Sequence, residues 1–296
     1  EHNWARQRAE HLERAYHQFI RFARLIDMPV RPLEHKLVCV LFHDREGYRQ
    51  FAGDFDMVEE GWIAGYYAPR SDRVVFYHAS ANPSVHEAEQ ELARMEAELR
   101  ELRDEHARKA TDRAALARLH NHEQRYRNHI AAERKRVDAF IRELDIATTT
   151  HEAFHQISFH TRLQSPHLQY PIWISEGLAT SFETTDPSAA FGPDHEYEGR
   201  RRSFSAALRE DRLVPLRELV VWTDVPKLSS EEIHELYCQS YALVTWMARF
   251  HRRELRAYLL LMLEQPGRDL GPDDHLALFE QAFGDADKLE RSWLRH

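Results

Sequence analysis

The spacing of apolar residues divides the chain into three stretches of different character. In the first, Leu12, Ala15, Tyr16, Phe19, Phe22, Ala23 and Ile26 recur at three- and four-residue steps, which predicts an amphipathic helix over residues 4–26. Pro29 and Pro32 end it. The apolar run from Lys36 to Phe42 predicts a buried strand, Arg45 to Phe51 a short helix, and Trp62 to Tyr67 with Arg73 to Tyr77 two strands joined through Pro69-Arg70-Ser71-Asp72. A small sheet therefore precedes the rest of the chain.

The second stretch, residues 83–145, contains no Gly and, after Pro83, no Pro. Leu92, Met95, Leu99 and Leu102 alternate in steps of three and four, as do Leu116, Leu119, Glu123, Tyr126 and Ile130, with Val137 and Leu144 later in phase. Between the two runs the register falls on His106, Lys109 and Arg113, where the apolar seam fails. Charge divides at the same place: residues 87–105 hold eight acids against three Arg, and 106–136 hold nine Lys and Arg against three acids. Two arms of opposite charge complement each other if the chain turns back near 106–114. The alternative is a single straight helix of about 90 Å.

The third stretch, 146–296, is helical in pattern, with a Pro-containing loop near 222–228 and helices over 231–250, 253–264 and 273–283. The resulting organisation is 1–82, an α/β part; 83–145, an inserted helical hairpin; and 146–296, a helical part.

Composition narrows the partners. The 296-residue chain carries a net charge of −9 and no block of Lys and Arg free of acids, which argues against nucleic acid. No apolar run approaches the eighteen or so residues that span a bilayer. The chain opens on Glu1 rather than Met, which raises the expectation of a trimmed targeting segment and an extracytoplasmic bacterial location. Of the two cysteines, Cys39 lies in an apolar run and is expected to be an unpaired, inert thiol; no Cys-x-x-Cys accompanies it or Cys238.

The candidate chemistry sits at the start of the third stretch, in His151-Glu152-Ala153-Phe154-His155 and, beyond it, Trp173-Ile174-Ser175-Glu176-Gly177-Leu178-Ala179. Residues four apart on a helix lie about 40° apart in azimuth and roughly 6 Å along the axis, so His151 and His155 can present both imidazoles to one ion. Catalytic zinc takes three protein ligands and keeps a fourth position open; Glu176 is the candidate third ligand and Glu152 the candidate general base. Four other His-Glu pairs, at 86, 122, 195 and 234, lack a second His four residues on. Thr148-Thr149-Thr150 offer helix-starting residues ahead of the motif. Pro166 and Pro171 turn the chain into a second helix carrying Glu176. Glu183, seven residues further, either orients a ligand histidine through its second nitrogen or faces solvent; Thr180 is a weaker candidate of the same kind.

The pairing of HEAFHQISFH with PIWISEGLATSFE resembles the gluzincin metallopeptidases of the peptidase MA-like group, and within them a bacterial branch reading His-Glu-x-x-His-Gln and then Pro-x-Trp-x-x-Glu-Gly-Leu-Ala-x-x-Phe-Glu. The resemblance is specific over about 35 residues, with weaker echoes at Gly65-Tyr66-Tyr67, Arg212 to Leu216, Tyr237-Cys238-Gln239-Ser240 and Phe279 to Gly284. It implies Zn2+ held by His151, His155 and Glu176, with Glu152 as general base. It also implies a peptide or protein substrate lying along an edge strand, expected to be Arg73 to Tyr77, although a plain structural hairpin fits the same residues. The related aminopeptidases use a downstream tyrosine as oxyanion donor, which implies Tyr237, with Tyr241 behind it.

Such a site needs the small sheet beside its metal helices, which selects the hairpin over the straight helix. The fold expected is mostly helical α+β: a small N-terminal sheet on a gluzincin-like helix pair, an inserted antiparallel coiled-coil hairpin and a helical C-terminal part. The hairpin is expected to limit substrate access or dock a protein partner. The Gly-x-Met-Glu-Asn motif that holds a substrate amino terminus in aminopeptidases is missing from the sequence, a departure that favours an endopeptidase. The competing expectations are a catalytically silent metal-binding module working through the hairpin, and a helical scaffold with no metal.

Overall fold

The computed structural model describes residues 2–58, 64–109, 113–266 and 270–295. Its elements are α1 (His2–Leu25), β1 (Val38–Phe42), α2 (Arg45–Phe51), β2 (Gly65–Ala68), β3 (Arg73–Tyr77), α3 (Pro83–Lys109) and α4 (Arg113–His160). The C-terminal part follows as α5 (Ile172–Ser181), α6 (Glu198–Arg209), α7 (Leu216–Leu219), α8 (Ser230–Phe250), α9 (Arg252–Leu263), α10 (Pro272–Phe283) and α11 (Ala286–Trp293). This is the mostly helical α+β architecture that the apolar spacing predicts. Trp62 and Ile63 of the expected second strand, and 110–112 of the expected hairpin turn, lie outside the described residues.

The chain forms two compact units, one of Glu1–Val40, Gly65–Phe76 and Ile146–His296, the other of Leu41–Ala64 and Tyr77–Asp145. In the second, α3 and the first part of α4 run antiparallel: Arg134 pairs with Glu96 at 2.6 Å, Arg103 with Glu123 at 2.7 Å, and Tyr126 donates to Glu98. Between them Leu92, Leu99 and Ile130 are buried, with Met95, Tyr126 and Val137 packed alongside. All six are among the seam positions read from the sequence. The opposite charges of the arms meet in the Arg134–Glu96 pair, while Arg103–Glu123 runs the other way.

In the first unit, α1 lays Phe19 and Phe22 against Phe154 of α4 and Phe182 beyond α5, with ring centroids 5.9 to 6.2 Å apart. Trp173 of α5 is fully buried against Tyr258 and Phe279. Helix α5 also meets α8 closely at Gly177, where an added Cβ would stand 2.7 Å from the Ser240 carbonyl oxygen and 2.8 Å from Val244. Backbone cannot step aside as a long side chain does. Gly177→Ala is therefore expected to cost about 1–3 kcal/mol through overpacking, read as a lowered midpoint in thermal or urea unfolding.

The sheet has the order β1-β3-β2, with β2 antiparallel to β3 and Tyr67 opposite Val74. Two expectations change here. Strand β3 is central, so its backbone is engaged on both sides and it cannot be the edge strand along a cleft; β2 and β1 are the edges. Strand β1 is also not a buried strand, because as an edge it leaves Val38 53% exposed and its other residues half-buried. The sheet is fastened to α4 by Tyr67 stacked on Phe159 at 5.6 Å and by Gln156, whose amide donates to the carbonyls of Val38 and Asp72 at 3.3 Å each. Gly65 leaves room for the Phe76 ring of β3, which would stand 2.3 Å from a Cβ there, and for the Thr148 side chain of α4 at 3.0 Å.

A third difference concerns the threonines. Thr148–Thr150 do not start a helix; they lie inside α4, which runs unbroken from the hairpin arm through both histidines to His160. Helix α4 runs across 145/146, where the two compact units divide. Thr150 satisfies its hydroxyl on the carbonyls of Ile146 and Ala147 at 3.1 Å, and Thr149 accepts from the buried Arg8, so neither needs a helix end. Both cysteines are free, and burial pushes the Cys39 thiol up to about 11, as expected of an inert thiol. Among the described residues no helix is long and apolar enough to cross a membrane.

Candidate metal centre

One turn of α4 separates His151 from His155, and α5 brings Glu176 to both. His151 Nε2 lies 3.1 Å from one Glu176 oxygen, His155 Nε2 3.5 Å from the other, and the two Nε2 atoms are 3.3 Å apart. These separations can be tested against an ion. Tetrahedral ligands about 2.0–2.1 Å from zinc stand about 3.3–3.4 Å from one another. Each imidazole thus stands at ligand-like distance from the other and from one oxygen of Glu176, a different oxygen for each ring, and the nitrogen-and-carboxylate set suits zinc among others. His151 is buried while His155 and Glu176 keep a partly exposed edge, so the cluster has a closed side and an open side.

The charges of the cluster act strongly on one another. Burial alone would lower the His151 pKa, but hydrogen bonds to Glu176 and Glu183 hold it well above the usual histidine range. Burial would raise Glu176, and His155 with His151 hold it well below the usual carboxylate range instead. Both shifts favour a proton on His151 opposite the Glu176 carboxylate when no ion is bound. A metal ligand must be neutral imidazole, so an incoming ion displaces that proton. Since raising the pH removes the competing proton, apparent affinity for a divalent ion is expected to increase with pH through the neutral range. Calorimetric titration in buffers of different ionisation enthalpy should show proton release; pH-independent binding without proton release would contradict this protonation state.

Glu152 is buried beside the pair. Burial pushes its pKa up, the His151 and His155 charges pull it down, and the Tyr67 backbone N–H donates to its carboxylate, with a net upward displacement. That places the Tyr67 amide of β2 beside Glu152. Tyr237, on α8, lies with its ring parallel to the His151 imidazole, interplanar angle 5° and centroids 6.4 Å apart. Tyr241 is committed elsewhere, its hydroxyl accepting the Tyr197 N–H at 2.7 Å.

Glu183 lies just past the end of α5 and does not face solvent. Its carboxylate reaches His151 Nδ1 at 3.1 Å, opposite the nitrogen turned to Glu176, so it fixes the ring's orientation. Arg200 of α6 then grips Glu183 with two bonds of 2.8 Å, Nε to one oxygen and a terminal nitrogen to the other. Arg200 is the member of the site that sequence reasoning missed. It stands in the run Arg200-Arg201-Arg202, and nothing in the local pattern separates it from its exposed neighbours. Thr180 does not join, its buried hydroxyl making no hydrogen bond among the described residues.

Residues 145–266 match a family described as protein of unknown function (DUF1570), a span of less than half the chain that holds both histidines, Glu152, Glu176, Glu183, Arg200 and Tyr237. No curated protein and no solved structure matches the chain.

Proposed function

We propose that the protein is a zinc-dependent peptidase of the gluzincin kind, acting as an endopeptidase. The observation that carries this is the convergence of His151, His155 and Glu176, the two Nε2 atoms 3.3 Å apart and each within 3.5 Å of a Glu176 oxygen, with a buried carboxylate on the residue next to the first histidine. When bound, zinc supplies Lewis acidity, lowering the pKa of a water from 15.7 towards about 7 and polarising the peptide carbonyl. The chain's own residues do the rest. Glu152, whose proton affinity is raised by burial, takes the proton from the attacking water and gives it to the leaving amine. Tyr237 donates to the oxygen of the attacked carbonyl as negative charge develops there. Glu183 and Arg200 hold the His151 ring in place.

Substrate pairs along β2 rather than β3. An extended peptide recognised through its backbone requires a strand with a free edge, and β2 is the edge strand that borders Glu152.

The test is metal analysis of the purified chain combined with cleavage of a broad peptide library, run beside Glu152→Ala. One zinc at the His151 site and cleavage inside peptides, lost in the variant, is the expected result. Zinc without cleavage would favour the silent binding module; no zinc uptake at micromolar concentration would leave a helical scaffold. Tyr237→Phe in the zinc-loaded enzyme is expected to lose about a hundredfold or more in kcat with metal content unchanged; an unaltered kcat would remove Tyr237 from the reaction.

A further inference from the structure

A second cluster of metal-ligating side chains lies further along the same helix. His160 ends α4, Asp72 sits in the turn between β2 and β3, and His35 lies between α1 and β1. One ligand atom from each lies within 4.8 Å of the other two. His160 Nε2 faces both Asp72 oxygens, at 2.7 and 2.9 Å, and the His35 ring stands edge-on to it with centroids 5.1 Å apart. Five residues separate His155 from His160, about 7.5 Å along the helix, so this cluster is distinct from the first.

The arrangement is held from several sides. The Arg31 N–H donates to the Thr161 carbonyl at 2.8 Å, tying the segment that carries His35 to the end of α4. Gln156 holds the Asp72 carbonyl, and the Tyr67 hydroxyl donates to an Asp72 oxygen at 3.2 Å. Asp72 itself adopts the left-handed conformation, φ 52°, which aspartate tolerates better than most residues.

An ion pair between His160 and Asp72 accounts for two of these groups and leaves the third unexplained. His35 makes no hydrogen bond among the described residues, yet its ring is set against His160 with centroids 5.1 Å apart. A divalent cation accounts for all three groups, because it takes two imidazoles together with a carboxylate.

We propose that His35, Asp72 and His160 form a second site for a divalent transition metal of the zinc class. Its His160 and Asp72 donors already face each other, and the exposed His35, whose ring stands edge-on to His160, is the ligand that closes on the ion. The site also touches the first through Tyr67, which gives its hydroxyl to Asp72 and its backbone N–H to Glu152. An ion at Asp72 would thus fix the strand that borders the first cluster.

Equilibrium dialysis of the full chain against micromolar zinc, with metal counted per chain and cobalt absorption followed in parallel, tests the site. Two ions per chain are expected. His35→Asn, an exposed position whose change spares the core, should weaken one binding step at least about tenfold and abolish its cobalt spectrum; His160→Gln should do the same. His151→Ala should remove the other ion and leave this one. A single ion in the natural chain, unaffected by His35→Asn and His160→Gln, would overturn the proposal. A single ion lost with His35→Asn but kept in His151→Ala would uphold it and instead defeat the peptidase reading.

Discussion

Glu152→Gln is expected to abolish measurable peptide hydrolysis, a loss on the order of 10²–10⁴-fold, while zinc content and thermal stability stay close to those of the natural chain. The expectation comes from where the carboxylate sits. Glu152 is not among the three converging donors, so losing its charge does not dismantle the cluster. It is buried and keeps a hydrogen bond from the Tyr67 amide, which the glutamine oxygen can still accept. What glutamine cannot do is take up and release a proton. A natural carboxylate here also costs something, because burial disfavours its charged form; the neutral amide should leave folding unharmed or slightly favoured. The informative outcome is therefore a pair of measurements, kcat and zinc per chain. Loss of both together would make Glu152 a structural part of the cluster, and retention of hydrolysis would remove it from the proton path.

Whether a partner is local or distant along the chain explains why the sequence was legible at some positions and silent at others. His151 and His155 could be paired because helix periodicity alone puts residues four apart on one face, and both sit on one unbroken helix. Glu176 was within reach because two prolines mark the turn between the helices. Strand order was harder. Four consecutive buried residues in β3, Val74 to Tyr77, signal a strand covered on both faces, but Val38 to Phe42 is equally apolar and is an exposed edge. An apolar run does not disclose which neighbours a strand acquires. The threonines misled for a related reason: their hydroxyls are satisfied by Arg8, 141 residues away, and by carbonyls one turn back, and only the second partner is local. Arg200 was out of reach altogether, since its role depends on α6 packing beside α8 and on nothing within its own segment.

That same residue gives the other large effect. Arg200→Ala is expected to destabilise the protein by about 3–5 kcal/mol, the usual result of removing one partner of a buried ion pair. Glu183 is 6% exposed and Arg200 16%, and two 2.8 Å bonds join them in the planar fork that arginine alone provides. Without the guanidinium, Glu183 keeps its burial and loses its strongest compensation. The loss should also reach the ion, because Glu183 orients His151 through Nδ1, and disturbing such a partner typically weakens metal binding 10–100-fold. Two comparisons separate the effects. Glu183→Gln leaves the Arg200 charge without its carboxylate, but that side chain is the more exposed of the two and the amide oxygen still accepts from it, so affinity should fall while less stability is lost than in Arg200→Ala. Arg201→Ala next door removes an exposed pair with Glu196, side chains 50% and 59% exposed, and should cost no more than about 1 kcal/mol. If Arg200→Ala behaved like Arg201→Ala in both unfolding midpoint and zinc affinity, the chain of contacts from Arg200 through Glu183 to His151 would carry no energy. His151 would then have to be oriented by its helix and by Glu176 alone.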